Sequence, residues 1–328
     1  MANVQILIQN GDKLQEPVIE EGITWETERR GTPGKLTFNV VTDDIIDFTE
    51  GNAVRMAVDG KNVFYGFVFT KKRDKDGIIS VTAYDQLRYL KNKHTMHYVG
   101  ITASELIKRL AADVQLQVGE IEDTEYVIPK RNEDNTTLFD MIYNALDLTL
   151  QNKKNLYVLY DDFSKLTLKN IESMKLDLLI DADVAENFNY TSSIDSKTYN
   201  RIRLFYENKD TGDRQVFIAP QDTKEFTASE NIKQWGVLQY CDSVDEKTTN
   251  PQAKADALLQ LYNRKTRTLS IDNAFGDIRV RGGSGVGVQL NLGDVSVNKY
   301  MLVEKVKHTF SNNQHVMNLS LRGSDFYE

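Results

Sequence analysis

Cysteine is almost absent: Cys241 is the single one in 328 residues. No disulfide can form within the chain, and no cysteine-based zinc cage can be built. A lone thiol of this kind is expected to be buried and inert, serving as a small apolar side chain, and the usage fits assembly in a reducing cytoplasm. Excess positive charge is lacking as well. The net charge of −8 and pI near 5.2 speak against a nucleic-acid grip or adhesion to an anionic membrane surface, which need clustered lysine and arginine. Nowhere do about 18 apolar residues run together, so no segment is expected to span a membrane. Met1-Ala2-Asn3-Val4-Gln5 has no basic region followed by an apolar run, so no signal peptide is expected. No low-complexity or Pro/Ser-rich linker interrupts the chain.

What is present is ordinary for a folded protein: 40% hydrophobic and 27% charged residues. The length exceeds what one hydrophobic core usually supports, which implies two or three domains. Residues 1–95 read as β structure. Leu36, Phe38 and Val40 alternate with Lys35, Thr37 and Asn39, and Ile79, Val81 and Ala83 repeat the pattern. Val63 to Phe69 is apolar on both faces, as a central or interface strand is. Asp76-Gly77 closes the charged stretch after it, and Gly11, Gly22, Gly31, Gly34, Gly51 and Gly60 cut the segment into short strands, as in a small barrel. Residues 96–175 form a mixed α+β module. Thr102 and Glu105 make a capping box before Leu106, Ile107, Leu110 and Val114 at helical spacing. A second helix begins near Thr137, and Leu156–Tyr160 with Leu166–Leu168 is a hairpin. Residues 176–328 return to β structure around one helix near 251–265, with Pro251 in its first turn, Thr249 and Asn250 as capping candidates, and Ala253, Ala257, Leu258, Leu261 and Tyr262 as its stripe. Ile278 and Val280 read as part of a further strand.

One pattern occurs twice. Gly51-Asn52-Ala53-Val54 is followed by the strand Phe64 to Phe69, a polar tip and the strand Ile78 to Tyr84. Gly293-Asp294-Val295 is followed by Tyr300 to Val303, the turn Ser311-Asn312-Asn313 and Met317 to Leu321. The fold expected is therefore mainly β with an α+β insert: two similar small barrel-like domains flanking the mixed module.

Chemistry-bearing patterns fail one after another. Gly282-Gly283-Ser284-Gly285-Val286-Gly287 matches neither phosphate-binding glycine spacing and precedes no helix; it reads as a tight β connection. His94 and His97 have no carboxylate at ligand spacing. If Asn312-Asn313 closes a two-residue hairpin, His308 opposes Met317 and His315 opposes Phe310, which places both imidazoles on a packing face with Val306 and Leu319. Asp43-Asp44, Asp161-Asp162 and Glu20-Glu21 read as surface turns; a catalytic carboxyl pair needs one member buried. No nucleophile motif is present. No enzyme activity, metal or cofactor is expected.

The order of these features resembles a known family. Gly51 to Val54 with Phe64-Tyr65-Gly66-Phe67-Val68 and Val81 to Leu87, the Thr102 helix with Asn135-Thr136-Thr137-Leu138, and Tyr199-Asn200-Arg201-Ile202 with Leu302 to His308 are similar to baseplate hub proteins of contractile phage tails. The likeness is to the subgroup found in PBSX-like prophages and phage-tail-like bacteriocins of Gram-positive bacteria. It implies two tail-tube-like barrels per subunit and a homotrimeric ring of pseudo-sixfold symmetry joining a central spike to the tail tube or its initiator. It further implies wedge proteins bound by the mixed module, no nucleic-acid or membrane contact, and a place in the baseplate of a virion or tail-like particle. Some hub proteins carry a fused hydrolase domain, for which no length is left here. Structural roles are expected for Gly51 and Gly293 in turns and for Phe64, Phe67, Phe69 and His308 in strands, the three phenylalanines being buried in a barrel or at a subunit contact. A receptor- or glycan-binding tail module and a peptidoglycan hydrolase remain the alternatives; Trp25, Trp235 and the tyrosines, which could stack on sugars, are scattered rather than clustered.

Overall fold

The computed structural model describes residues 2–42, 46–184, 186–195, 198–207, 212–222, 224, 229–244, 251–291 and 296–323. Two compact units divide the chain: Met1–Asn189 with Ser270–Leu321, and Tyr190–Leu269 with Arg322–Glu328. The division falls inside the strands Asn187–Ser193 and Thr266–Phe275, so the second unit is an insertion between two strands.

The first unit is built on a large sheet. Side by side lie Gln314–Gly323, Ser296–Ser311, Ile19–Glu28, Lys35–Val41, Ile78–Tyr84, Lys61–Arg73, Ala53–Val58, Val4–Asn10 and Lys13–Gln15. Alternation decides which face is covered: Leu36, Phe38 and Val40 bury one face of their strand while Lys35, Thr37 and Asn39 stay partly exposed, the period-2 rule of a half-buried strand. Ile6, Ile8, Trp25, Met56, Phe64, Val68, Val81 and Phe310 meet in the same core. Burying each such side chain is worth about 1.5–3 kcal/mol.

Two antiparallel meanders recur in this sheet. The first is Ala53–Val58, Lys61–Arg73 and Ile78–Tyr84; the second is Gly285–Asn291, Ser296–Ser311 and Gln314–Gly323. Tight turns with both central residues at positive φ join strands in each, at Asp59-Gly60 and at Asn312-Asn313, the geometry that matches strand twist. The sequence echo therefore has a structural counterpart, but displaced by one strand. Gly51 precedes the first strand of its meander, whereas Gly293 lies between the first and second strands of the other and itself falls outside the described residues. No closed ring of paired strands is present among the described residues: the last strand, Lys13–Gln15, pairs only with Val4–Asn10.

Between the meanders stand the ribbon Lys93–Thr102/Val127–Thr137 and the three-stranded sheet of Tyr157–Asp161, Leu166–Asn170 and Val118–Ile121. The helices Ala103–Asp113 and Leu138–Lys153 accompany them. The capping box at Thr102 is formed in both directions, and Thr137 accepts from the Asp140 N–H. Leu106, Ile107, Leu110, Met141, Ile142 and Leu146 pack with Leu159, Leu166 and Leu168, so the module owns a core.

In the second unit, Arg201–Glu207 lies between Arg214–Ala219 and Gln239–Ser243, and the helix Pro251–Tyr262 packs on this sheet. Its buried stripe is Ala255 with Leu258, Leu259 and Tyr262 against Ile202 and Leu204. The expected stripe is thus rotated: Ala253 and Ala257 are exposed. The side chain of Leu261 and both capping candidates, Thr249 and Asn250, lie outside the described residues. Cys241 is exposed rather than buried, because it pairs with the exposed Arg203 on the face opposite the core that Tyr240 and Ile202 enter. Ile278 and Val280 fall in a turn, not a strand.

The helix phase has a direct check. Ala255→Glu buries a charge against Ile202 and Leu204 and should cost about 3 kcal/mol or unfold the second unit, whereas Ala257→Glu should stay within about 0.5 kcal/mol of wild type. Equal shifts in urea midpoint for the two variants would contradict the assignment.

Candidate functional site

Three places in the first unit carry more than routine packing. The first is the outer face of Lys61–Arg73. Phe64 and Val68 point into the core, and Tyr65, Phe67 and Phe69 are half-buried on the other side. Edge-to-face contacts link Tyr65 to Phe67 at 5.8 Å and to Phe163 at 5.7 Å, Phe67 to Tyr89 at 6.2 Å, and Phe69 to Tyr84 at 5.5 Å. Arg55 lies over Tyr65 and Arg88 over Phe69, so the face is aromatic with a basic rim. Gly66 is required here, because a Cβ would collide with the Tyr84 carbonyl and the Phe64 ring. The turn at Gly51 (φ 88°) is tied to the same strand by its N–H donating to the Val68 carbonyl at 2.8 Å.

The second is a buried acidic pair. Asp85 is 5% and Asp161 6% exposed. Asp85 accepts from the Gly34 and Leu87 N–H groups at 2.8 and 3.0 Å. Asp161 accepts from the Gln86 amide at 2.7 Å and the Ser164 N–H at 2.9 Å. Burial drives the Asp85 carboxyl well above the ordinary range, and the neighbouring Asp161 adds to it. Burial also raises Asp161, to about 6, against the pull of its hydrogen bonds and of Arg281. The Arg281 guanidinium lies 4.2 Å over the Tyr160 ring. A cavity of about 20 Å³ is lined by Asp85, Asp161, Arg281, Trp25 and Thr27, space for a single water-sized group. Asp161 is therefore not part of a surface turn; it ends the strand Tyr157–Asp161 and points inward. Gly282 next to Arg281 has no room for a Cβ, which would meet the Glu28–Arg29 backbone. Gly283 beside it has φ 98° and a Cβ there would meet the Val158 side chain, so each of the two glycines has its own steric reason.

The third is a histidine pair. His308, fully buried, stacks on Trp25 with ring centroids 4.6 Å apart, and His315 stacks on Phe310 at 4.2 Å. His308 Nε2 lies 2.9 Å from the Val280 carbonyl, and His308 Nδ1 lies 2.9 Å from His315 Nε2. A carbonyl only accepts, so Nε2 of His308 carries the hydrogen; where burial keeps that ring neutral, its Nδ1 accepts and His315 Nε2–H donates. Burial disfavours the charged form of both rings. Burial, then the neighbouring ring, lowers His308 to about 3; burial lowers His315 to about 4.

Of the residues singled out from sequence, Phe64 and His308 are core, Phe67 and Phe69 belong to the aromatic face, Gly51 is in a turn and Gly293 lies outside the described residues. Glu20 and Glu21 lie in the strand Ile19–Glu28 and are exposed; Asp43 and Asp44 lie outside the described residues. His94 and His97 are exposed on their ribbon. Sequence reasoning missed the Asp85–Asp161–Arg281 cluster and the bond between the histidines; each joins groups far apart in sequence or across a strand diagonal, where no local spacing signals contact. Among the described residues no group of three or more His, Cys, Asp or Glu is placed to hold a metal ion, and no described helix is long and apolar enough to cross a membrane.

The fold is that of prophage tail proteins. The structure aligns with the 43 kDa tail protein of prophage MuSo2 from Shewanella oneidensis over 99% of this chain and 100% of that one, with a TM-score of 0.71 at 13% identity. It also aligns with Escherichia coli c3393, described as a type VI secretion component structurally similar to the T4 tail proteins gp27 and gp5, over 98% and 78% of the two chains, with a TM-score of 0.55 at 9% identity. At these identities the likeness is one of fold. The chain belongs to the YQBQ-like family, matched across residues 23–322. Two Bacillus subtilis (strain 168) relatives, the uncharacterized protein YqbQ and the phage-like element PBSX protein XkdQ, are 27% and 26% identical over 317 residues, covering 93% of this chain and 92% of theirs. The resemblance to PBSX-like prophage proteins read from the sequence is borne out by these relatives.

Two measurements test the buried groups. Both histidines sit below their ordinary value of 6.5. Their stabilising contribution is complete above pH 6.5 and is lost as pH falls through about 4 and then about 3. Long-range ¹⁵N correlation at pH 6 should show neutral rings with the hydrogen of His308 on Nε2; a hydrogen on Nδ1 contradicts the network. Asp161 has the opposite sign: raised from 3.8 to about 6, it favours folding at low pH and loses that contribution as pH rises through about 6. Stability of Asp161→Asn relative to wild type should therefore improve by roughly 2 kcal/mol between pH 4 and 7; a constant difference in urea unfolding contradicts the burial.

Proposed function

We propose that this chain is a structural component of a phage-type tail baseplate, and specifically the hub that joins a central spike to the tail tube in a contractile phage tail or tail-like bacteriocin. The observation that carries the reading is the pair of three-stranded meanders, one from each end of the chain, joined through Ser296–Ser311. A chain that repeats one β unit can present two similar surfaces, and three copies of it can present six. Near-full-length similarity to a PBSX protein and the fold shared with prophage tail proteins support the same reading.

In this proposal residues 1–95 and 176–328 supply two tube-like domains, and 96–175 is the peripheral module that meets wedge proteins. Gly51 and Gly293 turn the chain at strand ends, Phe64 and His308 fill the interior, and Phe67 and Phe69 hold the outer face of their strand against its neighbours. Three copies close a ring by head-to-tail contacts, which can join only if the rotation closes. The ring is assembled in the host cytoplasm, adapts a threefold spike to a sixfold tube, and does no chemistry. The buried acidic pair and histidine pair act as packing and orienting groups.

Light scattering after size exclusion, over a range of concentrations, tests the ring. A species near three times 37.5 kDa is expected. A stable dimer sinks the proposal, since twofold symmetry cannot build this adapter.

A further inference from the structure

The hairpin between Tyr157–Asp161 and Leu166–Asn170 turns on a residue that such a turn does not favour. Asp162 and Lys165 exchange backbone bonds, the Asp162 N–H donating to the Lys165 carbonyl at 2.8 Å and the Lys165 N–H to the Asp162 carbonyl at 3.2 Å. Phe163 and Ser164 between them stand at φ 47° and 69°. Glycine and asparagine take such positions readily, whereas a bulky side chain there is strained and persists only where its surroundings hold it. Two contacts hold it here. Asp161 Oδ1 accepts from the Ser164 N–H at 2.9 Å, and the half-buried Phe163 ring meets Tyr65 of the first meander edge to face.

Asp161 is thus shared by the turn and by the cluster beneath it. Gln86, 5% exposed, donates to Asp161 Oδ2 and to the Gln117 carbonyl, and accepts from the Gln117 N–H at 3.1 Å. One amide from just past the first meander therefore grips both the strand that carries the turn and the start of Val118–Ile121. The charged and titratable groups around the two carboxyls are few. They are Arg281 from the loop before Gly285–Asn291, Glu28 from Ile19–Glu28, and Tyr160 and Asp162 beside Asp161. Glu28 is engaged by Lys305. Arg281 lies over Tyr160 and forms no ion pair with either carboxyl among the described residues. When both carboxyls ionise in the closed cavity, no cation in contact neutralises them.

We propose that the tip Asp161–Lys165 is a proton-controlled latch on the first meander. With a proton held in the Asp85–Asp161 cluster the tip stays seated and Phe163 covers the Tyr65 ring. When the proton leaves, the tip lifts, the carboxylates reach water and the strained turn relaxes. The inference goes beyond the tail reading and does not depend on a ring. Burial raises both carboxyls, so the closed form is favoured at low pH. For Asp161 the opening gains with pH between the ordinary value of 3.8 and the closed-form value of about 6. The linked histidines titrate at about 4 and below, under most of that window. The lift is local, because Val158 lies against Gly283 and Asp147 pairs with Arg30 away from the tip.

Hydrogen exchange of the full chain, corrected at each pH for the intrinsic rate, reads the opening. Protection of the Asp162, Ser164, Lys165 and Leu166 amides should fall about tenfold between pH 5 and 7, while the helix Ala103–Asp113 keeps its protection. Asp161→Asn, neutral at every pH, should remove most of that fall. Phe163→Ala keeps both carboxyls and should speed exchange of the tip at both pH values with the fall intact. Circular dichroism establishes that each variant is folded. Tip protection that does not change with pH, or that falls together with the helix, overturns the latch. So does a folded Asp161→Asn that retains the wild-type fall. If Asp161→Asn does not fold, the wild-type comparison of tip and helix decides together with Phe163→Ala, and a tip whose exchange Phe163→Ala leaves unchanged overturns the inference.

Discussion

Everything in the first unit depends on one strand, Ser296–Ser311. Its first half pairs with Gly285–Asn291, from Ser296 opposite Asn291 to Leu302 opposite Gly285. Its second half pairs with Ile19–Glu28, from Lys305 opposite Glu28 to Phe310 opposite Ile23. Gln314–Gly323 lies along it as well. Sixteen residues of backbone thus bond the N-terminal strands to the C-terminal ones. Its side chains follow the same division: Phe310 enters the core of the N-terminal strands, and Val303 and Val306 are fully buried. A pairing of such sequence separation carries a large ordering cost in folding, so it must be held by strong local packing on both sides.

The buried polar groups sit along that seam. His308 is on the long strand and stacks on Trp25 of the strand beside it; the Val280 carbonyl and Arg281 come from the loop before Gly285–Asn291. Asp85 ends the first meander, and Asp161 ends a strand of the mixed module. A purely apolar seam could slip by two residues at little loss of packing. Hydrogen bonds with fixed partners cannot, because each unmade bond to a buried group costs about 1–3 kcal/mol. The two clusters respond oppositely to acid, since burial disfavours charge on an imidazole at low pH and on a carboxyl at high pH.

Local grammar was readable. The capping box at Thr102 with Glu105, the cap at Thr137, the alternation through Leu36, Phe38 and Val40 and the hairpin turn at Asn312-Asn313 each need only neighbours a few residues away. What failed was whatever depends on distant partners. Ala255 rather than Ala253 faces inward because Ile202 and Leu204 lie on that side. Cys241 is exposed because its neighbour Tyr240 takes the face that packs with Ile202, leaving Cys241 on the other. Asp161 looked like half of a surface acidic pair, yet the next residue along the chain says nothing about Asp85 and Gln86 closing over it.

By itself the sequence determined the strand periods, the helix starts and the turn types, since these follow from backbone sterics and short-range hydrogen bonds. It also carried the repeat of a meander and the likeness to PBSX-like prophage proteins. Only the tertiary structure decided that the meanders share one open sheet, that residues 190–269 form a separate unit between two strands, and which charged groups are buried together. Burial and long-range pairing are properties of the whole packed chain, and no window of neighbouring residues contains them.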